Sequence, residues 1–388
     1  MNRSFAGRRS QQPFRGGIGV LAILVLSLNA TSIVAIASAS DENAANQPPA
    51  QPRSAASSKT ETPPVTIPFE VVGTGLRHPF GLAVQPDTGI VFVAESGAGR
   101  VVRLVDGKTE EVIVGFPTEP YVAAPQYNIG PLGLFFLDKD TLVVGDGGFK
   151  DGEDVARVFA VPATGATALK YEDAKQKLGP LAASEPLPAE GNFFGIAATK
   201  TSLFVACQGA NSRGQVAKAD INDGKLGELK RFLGGKDSPE VASPLAVAIG
   251  PNGELVVGQS GERTVANDSL LTFYNPNSGK LLLNLQTGLH DMIALAYHPV
   301  SRQLYALDIA SLKPEDGGLF RLARSTKEAQ QTIRPIKLLK LDQPTAMAFG
   351  KSGELYIATL GAPTGDGAAT NPPTGKVIKI TQGLEAIR

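Results

Sequence analysis

His78-Pro-Phe-Gly-Leu-Ala-Val-Gln-Pro-Asp-Thr-Gly-Ile-Val-Phe-Val-Ala-Glu-Ser-Gly-Ala-Gly-Arg-Val-Val-Arg-Leu104 holds three apolar runs, each the length of a strand. Pro-Asp-Thr-Gly and Ser-Gly-Ala-Gly separate them. Gly and Asp supply turn conformations that other residues reach only at a steric cost, so the stretch predicts a meander of antiparallel strands.

The unit recurs five times. Further first strands start near Gly133, Gly195, Ala246, Ala294 and Ala346, and each is followed by a second apolar run: Leu142-Val-Val-Gly, Leu203-Phe-Val-Ala, Leu255-Val-Val-Gly, Leu304-Tyr-Ala-Leu and Leu355-Tyr-Ile-Ala. Counted from Gly81, the spacings are 52, 62, 51, 48 and 52 residues. Four-strand units at a period of about 40 to 50 residues are the mark of β-propeller blades. Inner blade strands are covered on both faces, and Gly-Leu-Ala-Val, Leu-Phe-Val-Ala and Leu-Tyr-Ile-Ala are continuously apolar. Outer strands meet solvent, and Lys108–Ile113 and Glu228–Phe232 are mixed in polarity. The sixth unit ends after three strands, near 345–349, 354–359 and 376–380. Phe69-Glu-Val-Val-Gly73 resembles a closing outer strand. We therefore expect an all-β, six-bladed propeller whose N-terminal strand completes the last blade and removes the open edges.

Composition narrows the function classes. Lys+Arg 37 balance Asp+Glu 37, which leaves no net field for nucleic acid. A single cysteine, Cys207, excludes an intramolecular disulfide and a cysteine zinc cluster, and reads as a small buried hydrophobe. Residues 1–40 carry Arg3, Arg8, Arg9 and Arg15, then an apolar run Ile18–Ala37 and an Ala37-Ser-Ala39 site, the order of a secretory signal peptide. Export to the periplasm, cell surface or medium is expected, with the mature chain starting near Ser40 or Asp41. Membrane attachment is expected only if that segment is kept. Residues 41–64, rich in Ala, Ser, Gln and Pro, offer too little apolar surface to order and are expected to form a disordered linker. The propeller then spans 65–388, expected as a monomer.

Pro79-Phe-Gly-Leu-Ala83 with Val93-Ala-Glu-Ser-Gly97 resembles the repeat of NHL-type and related six-bladed propellers, over roughly Val65 to Ile380. Such relatives include lactonases, quinone-dependent sugar dehydrogenases, lyases and binding modules, so the resemblance implies a fold more than an activity. Gly75–Ala83 and Leu142–Gly148 look like pieces of the soluble pyrroloquinoline quinone sugar dehydrogenases, but that family's His-x-Gly-Gly does not occur here. Gly191-Asn-Phe-Phe-Gly195 is similar to a metal-binding Asn-Gly element of the gluconolactonase and regucalcin family. Here the Asn is displaced, and Ile293-Ala294 stands where that family has Asp-Gly. Neither family's catalytic set is matched.

Topology still locates a candidate site. In a four-stranded meander, the loop before the first strand and the loop between strands two and three emerge on one face. Here those loops are long: 117–131, 146–154, 184–193, 261–268, 309–318 and 361–375. Three residues before each Gly/Ala stand His78, Gly130, Asn192, Ser243, Asp291 and Gln343, with Asn128, Glu190 and His290 close by. These polar groups are expected to converge on one mouth of the channel and bind a ligand, unless they serve their own loop backbones. Tyr121 and Tyr127 are candidates to stack on it, or to pack the loop. A second aligned set ends the second strands: Glu95, Asp146, Cys207, Gln259, Asp308 and Thr359. Glu95, Asp146 and Asp308 are the candidates for a divalent cation such as calcium. The competing role for them is bracing the following glycine turn. Asp146, Asp151, Glu153 and Asp154 together read as a solvated acidic loop, and His298 falls on the opposite face. Neither HExxH nor G-x-S-x-G is present, and Gly107-Lys-Thr lacks the upstream glycine of a phosphate loop. The expectation is an exported module that binds a small molecule or a protein through this face. The alternative is a metal-assisted hydrolase or lactonase, or a sugar dehydrogenase, at the same mouth.

Overall fold

A computed structural model describes residues 67–121, 127–184, 188–208, 214–234, 243–361 and 373–385. The expected signal peptide and linker lie outside these residues, as do parts of three of the long loops. The described residues form strands and short 3-10 turns with no α-helix.

Blade 1 shows how the repeat folds. Pro79–Val84, Val91–Glu95, Arg100–Val105 and Lys108–Val114 pair as an antiparallel meander. Asp106 and Gly107 hold φ of 49° and 75°, the left-handed pair that a tight hairpin needs, and Asp223 and Gly224 repeat it at 50° and 74°. Five further sheets have inner strands Leu134–Asp138, Phe193–Ala198, Pro244–Ile249, Met292–Tyr297 and Pro344–Phe349.

The sixth blade holds only Pro344–Phe349, Leu355–Thr359 and Gly375–Ile380 from the C-terminal part of the chain. Its fourth strand is Glu70–Leu76, antiparallel to Gly375–Ile380 with Val71 opposite Ile378 and Leu76 opposite Gly375. The packing agrees. Six apolar cores lie one between each pair of consecutive blades. The sixth joins Tyr356 and Ala358 of blade 6 to Leu82 and Val93 of blade 1. The chain is a closed six-bladed β-propeller.

The recurring Gly or Ala has a steric cause. A Cβ on Gly81 would stand 1.8 Å from the Leu132 carbonyl oxygen of blade 2, and one on Gly133 would stand 1.9 Å from that of Phe194 in blade 3. Neighbouring backbones meet there, around the axis. Just upstream, the register slips between Pro79 and Gly81, Pro244 and Ala246, Met292 and Ala294, and Pro344 and Ala346. These bulges leave Phe80, Leu245, Ile293 and Thr345 unpaired and re-aim them. His78, Asn192, Ser243 and Gln343 hold φ of 47° to 51°. The aligned polar positions are thus largely a left-handed corner built into the repeat.

One long loop differs from expectation. Within 117–131, Glu119–Tyr121 and Tyr127–Ile129 pair as a small ribbon standing over the channel mouth.

Candidate functional site

The bulged residues form the floor of the site. Phe80, Phe194, Leu245 and Ile293 line the channel below and also an open-mouthed recess above it. Phe80 and Phe194 meet edge to face with ring centroids 6.4 Å apart. Tyr121, Tyr127 and Ile129 of the ribbon make one wall, and Ile309, Pro314 and Leu360 extend the apolar lining. Polar groups come from the expected loops: Ser243, Asp291 and Gln343 before the inner strands, and Ser260, Arg263 and Ser311 between second and third strands. Gln208 also lines the recess. Arg263 lies 5.9 Å over the Tyr121 ring.

Three of the six candidate ligand-binding residues therefore meet in one recess. Gln343 accepts a hydrogen bond from the Tyr127 hydroxyl, which ties blade 6 to the ribbon. Burial pushes the Tyr127 hydroxyl up to about 12, so it stays a donor. Asp291 is 3% exposed. Its Oδ2 accepts the Ser311 N–H at 2.6 Å, while its Oδ1 meets no donor among the described residues. Burial raises this carboxyl above the ordinary range; the Ser311 bonds and the Arg263 charge pull it back, and Asp308 adds to the rise. A buried carboxylate oxygen without a donor is costly, which marks Asp291 as the chemically unfinished group of the recess.

The other three lie outside that lining. His78 is buried one layer behind it, edge-on to Tyr127 at 5.0 Å, and its Nδ1 accepts the Asn128 N–H at 3.1 Å. Burial lowers its pKa, and accepting at Nδ1 requires a ring nitrogen without a proton. Asn128 points to solvent. Asn192 gives its N–H to Asp154 Oδ2 at 3.1 Å, and its own buried Oδ1 meets no donor among the described residues.

The acids at the second-strand ends brace the loops. Glu95 accepts the Arg77 N–H at 2.8 Å and Arg100 Nε at 2.7 Å. Asp308 accepts three backbone N–H groups, of His290, Asp291 and Ala310, each at 2.9 Å. Asp146 is gripped by Arg157, with Nε 3.0 Å from both carboxylate oxygens and Nη2 at 2.9 Å. Burial still pushes Asp146 up to about 6, against that pairing. Asp154, expected in a solvated loop, is instead fully buried and pushed up to about 7 by burial, while the Phe149 and Asn192 N–H groups hold its oxygens. The oxygens offered for a divalent cation thus sit in three blades with partners of their own. No group of three or more His, Cys, Asp or Glu converges among the described residues. This donor set does not fit a shared cation.

Sequence reasoning missed the apolar floor, Arg263 and Ser311. The floor was readable. The residue directly before each Gly/Ala is Phe80, Leu132, Phe194, Leu245, Ile293 and Thr345, apolar in five of six units, and Thr345 turns its hydroxyl to the Pro79 carbonyl at 2.6 Å. Arg263 and Ser311 sit in loops without repeat register, and nothing in their neighbours singles them out.

No protein-family model matches the chain, and no curated protein matches its sequence. Solved structures do. A glucose dehydrogenase-type oxidoreductase from Thermus thermophilus aligns over 81% of this chain and 100% of its own, at 18% identity and a TM-score of 0.55. The PQQ-bound aldose sugar dehydrogenase from Streptomyces coelicolor aligns over 82% and 99%, at 14% identity and 0.51. A luciferin-regenerating enzyme aligns over 80% and 92%, at 12% and 0.51. At these identities the likeness concerns the fold: this chain shares its six-bladed β-propeller with them.

Proposed function

We propose that the protein is a binding module that seats a small, largely apolar molecule in the recess at its long-loop mouth. The observation that carries this reading is the pairing of an aromatic and aliphatic lining with one buried carboxylate oxygen that meets no donor among the described residues, at the end of a ring channel. Apolar contacts would supply the affinity, and a few fixed polar groups the orientation. Pieces of the lining come from blades 1, 3, 4, 5 and 6 and from the ribbon, so the closed ring holds the recess in shape before the ligand arrives. We infer further that the chain is exported, on the strength of the Arg-rich start, the Ile18–Ala37 run and the Ala37-Ser-Ala39 site.

Titration with N-phenylnaphthylamine, a neutral apolar dye that brightens on leaving water, tests the binding reading. The chain has no tryptophan to compete for the signal. We expect saturable brightening that is lost in Ser311→Trp, where an indole fills the recess, and kept in Val300→Ser, in the turn between the first two strands of blade 5. Binding that survives Ser311→Trp would place the ligand elsewhere, and absence of binding would end the reading. Mass spectrometry of material from the producing cell tests export: recovery of residues 1–30 in the mature chain would show retention instead.

A further inference from the structure

Asp291 and Arg263 are the only charged side chains among the described residues that line the recess. Their formal charges cancel, yet Arg263 acts on Asp291 through its charge alone, while the hydrogen bonds to the carboxylate come from Ser311. Arg263 instead lies over the Tyr121 ring at the rim, while Asp291 is held inside by Ser311 and by the Asp308 brace beneath its own N–H. The remaining polar lining is neutral. A ligand carrying a net charge would unbalance this pair in a mostly apolar space, at the cost of its own desolvation. A ligand without a donor would leave Asp291 Oδ1 as it stands, desolvated and unbonded.

We propose that the ligand of this recess is a neutral, largely apolar molecule bearing a hydroxyl or N–H group, and that this group donates a hydrogen bond to Asp291 Oδ1. The inference rests on the recess being the binding site, and adds to it the class of molecule and the atom that selects it. A hydrogen bond to a charged acceptor in a water-poor site is worth more than a neutral one, so the donor should set specificity. Sites built to bond a donor reject analogues that lack it far more strongly than apolar surfaces reject a change of shape.

A matched series separates the two levels of the argument. N-phenylnaphthylamine carries a neutral N–H, phenoxynaphthalene has nearly the same shape with an ether oxygen, anilinonaphthalene sulfonate adds a negative charge, and naphthylmethylammonium adds a positive one. We expect the neutral amine to bind at least about tenfold tighter than the ether, and tighter than either ion. In Asp291→Asn the amide oxygen can stay with the Ser311 N–H, turning the NH2 to the place of Oδ1. The amine-over-ether preference should then vanish or invert. If amine and ether bind equally while Ser311→Trp abolishes both, the recess is the site but a water serves Oδ1, and the donor assignment falls. If the ammonium ion binds tightest, the neutral class falls. If none of the four binds, the reading of the recess falls with it. The series on the unmodified protein decides the matter even if Asp291→Asn folds poorly.

Discussion

Blades 1 and 5 solve the same local problem in the same way and then part. In each, an acid at the end of the second strand reaches back to the loop before the inner strand: Glu95 to the Arg77 N–H, and Asp308 to the N–H groups of His290 and Asp291. In each, the residue three places before the Gly or Ala is polar and buried, His78 in one and Asp291 in the other. His78 is finished by its surroundings, under Tyr127 and bonded to the Asn128 N–H. Asp291 lines the recess and keeps one oxygen without a donor among the described residues. The brace belongs to the repeat and serves stability. Function can be written only where the repeat leaves a group unsatisfied, because a satisfied group has nothing left to offer a ligand.

The N-terminal closing segment adjoins both blades, with Ile67 packed against Tyr305 and Leu307 of blade 5 and Leu76 against Leu82 and Val93 of blade 1. Truncating it has the largest expected effect. Removing residues 1–64 should leave the melting temperature unchanged. Removing 1–76 takes away Glu70–Leu76, exposing the edge of Gly375–Ile380, and with it the buried Ile67 of the core between blades 5 and 6 and Leu76 of the core between blades 6 and 1. Loss of cooperative unfolding or aggregation is expected. Equal melting of the two truncations would mean that the closing strand contributes little.

The brace itself comes next. Asp308→Ala strands three backbone N–H groups in a buried corner, and the expected loss is about 3 kcal/mol or more, read by denaturant unfolding. His78→Ala removes a ring packed on Tyr127 and one acceptor, for about 2 kcal/mol. A Cβ on Gly97 would stand 2.6 Å from His78 Nδ1, so Gly97→Ala should push on the same ring and destabilise in the same direction. Dye affinity per folded molecule should change little in His78→Ala if His78 only supports the wall.

The fold was open to sequence reading because a propeller writes itself six times. An irregularity in one unit, such as the 62-residue spacing between Gly133 and Gly195, is corrected by the other five. Closure was legible for a related reason: the sixth unit lacked one strand, and 69–73 had no unit of its own. The site was half legible. Alignment found the corner positions, but it could not tell His78 from Asp291, since both occupy one register. What separates them is a ribbon whose strands, Glu119–Tyr121 and Tyr127–Ile129, are too short to show a period. Asp154 misled for a similar reason. Four acids within nine residues look solvated, but the loop before the inner strand of blade 3 folds over Asp154 and gives it the Asn192 N–H.

The smallest effect on stability is the one that tells most about the difference between the blades. Asp291→Asn should not cost what His78→Ala costs. It removes a buried charge whose Oδ1 bonds to nothing in the described protein, keeps the volume, and can keep the Ser311 bond, so stability should stay within about 0.5 kcal/mol or rise. The sign with pH follows from the raised carboxyl. Between the unfolded value, about 3.9, and its own higher value, folded Asp291 holds a proton that the unfolded chain has released. Its contribution to stability is therefore fully present below the unfolded value and is lost as pH rises through the folded one. The groups facing it are Arg263, which lowers the value, and Asp308, which raises it. Unfolding curves across this window should show a smaller fall with rising pH in Asp291→Asn than in the unmodified protein. Binding should run the other way, because a ligand that donates to Oδ1 needs the ionised carboxylate: affinity for the neutral amine dye should weaken as pH falls through the raised value, while that for the ether stays flat. A residue kept for stability would show stability and binding moving together. Opposite slopes from one carboxyl would identify Asp291 as the place where the repeat gives up stability for recognition.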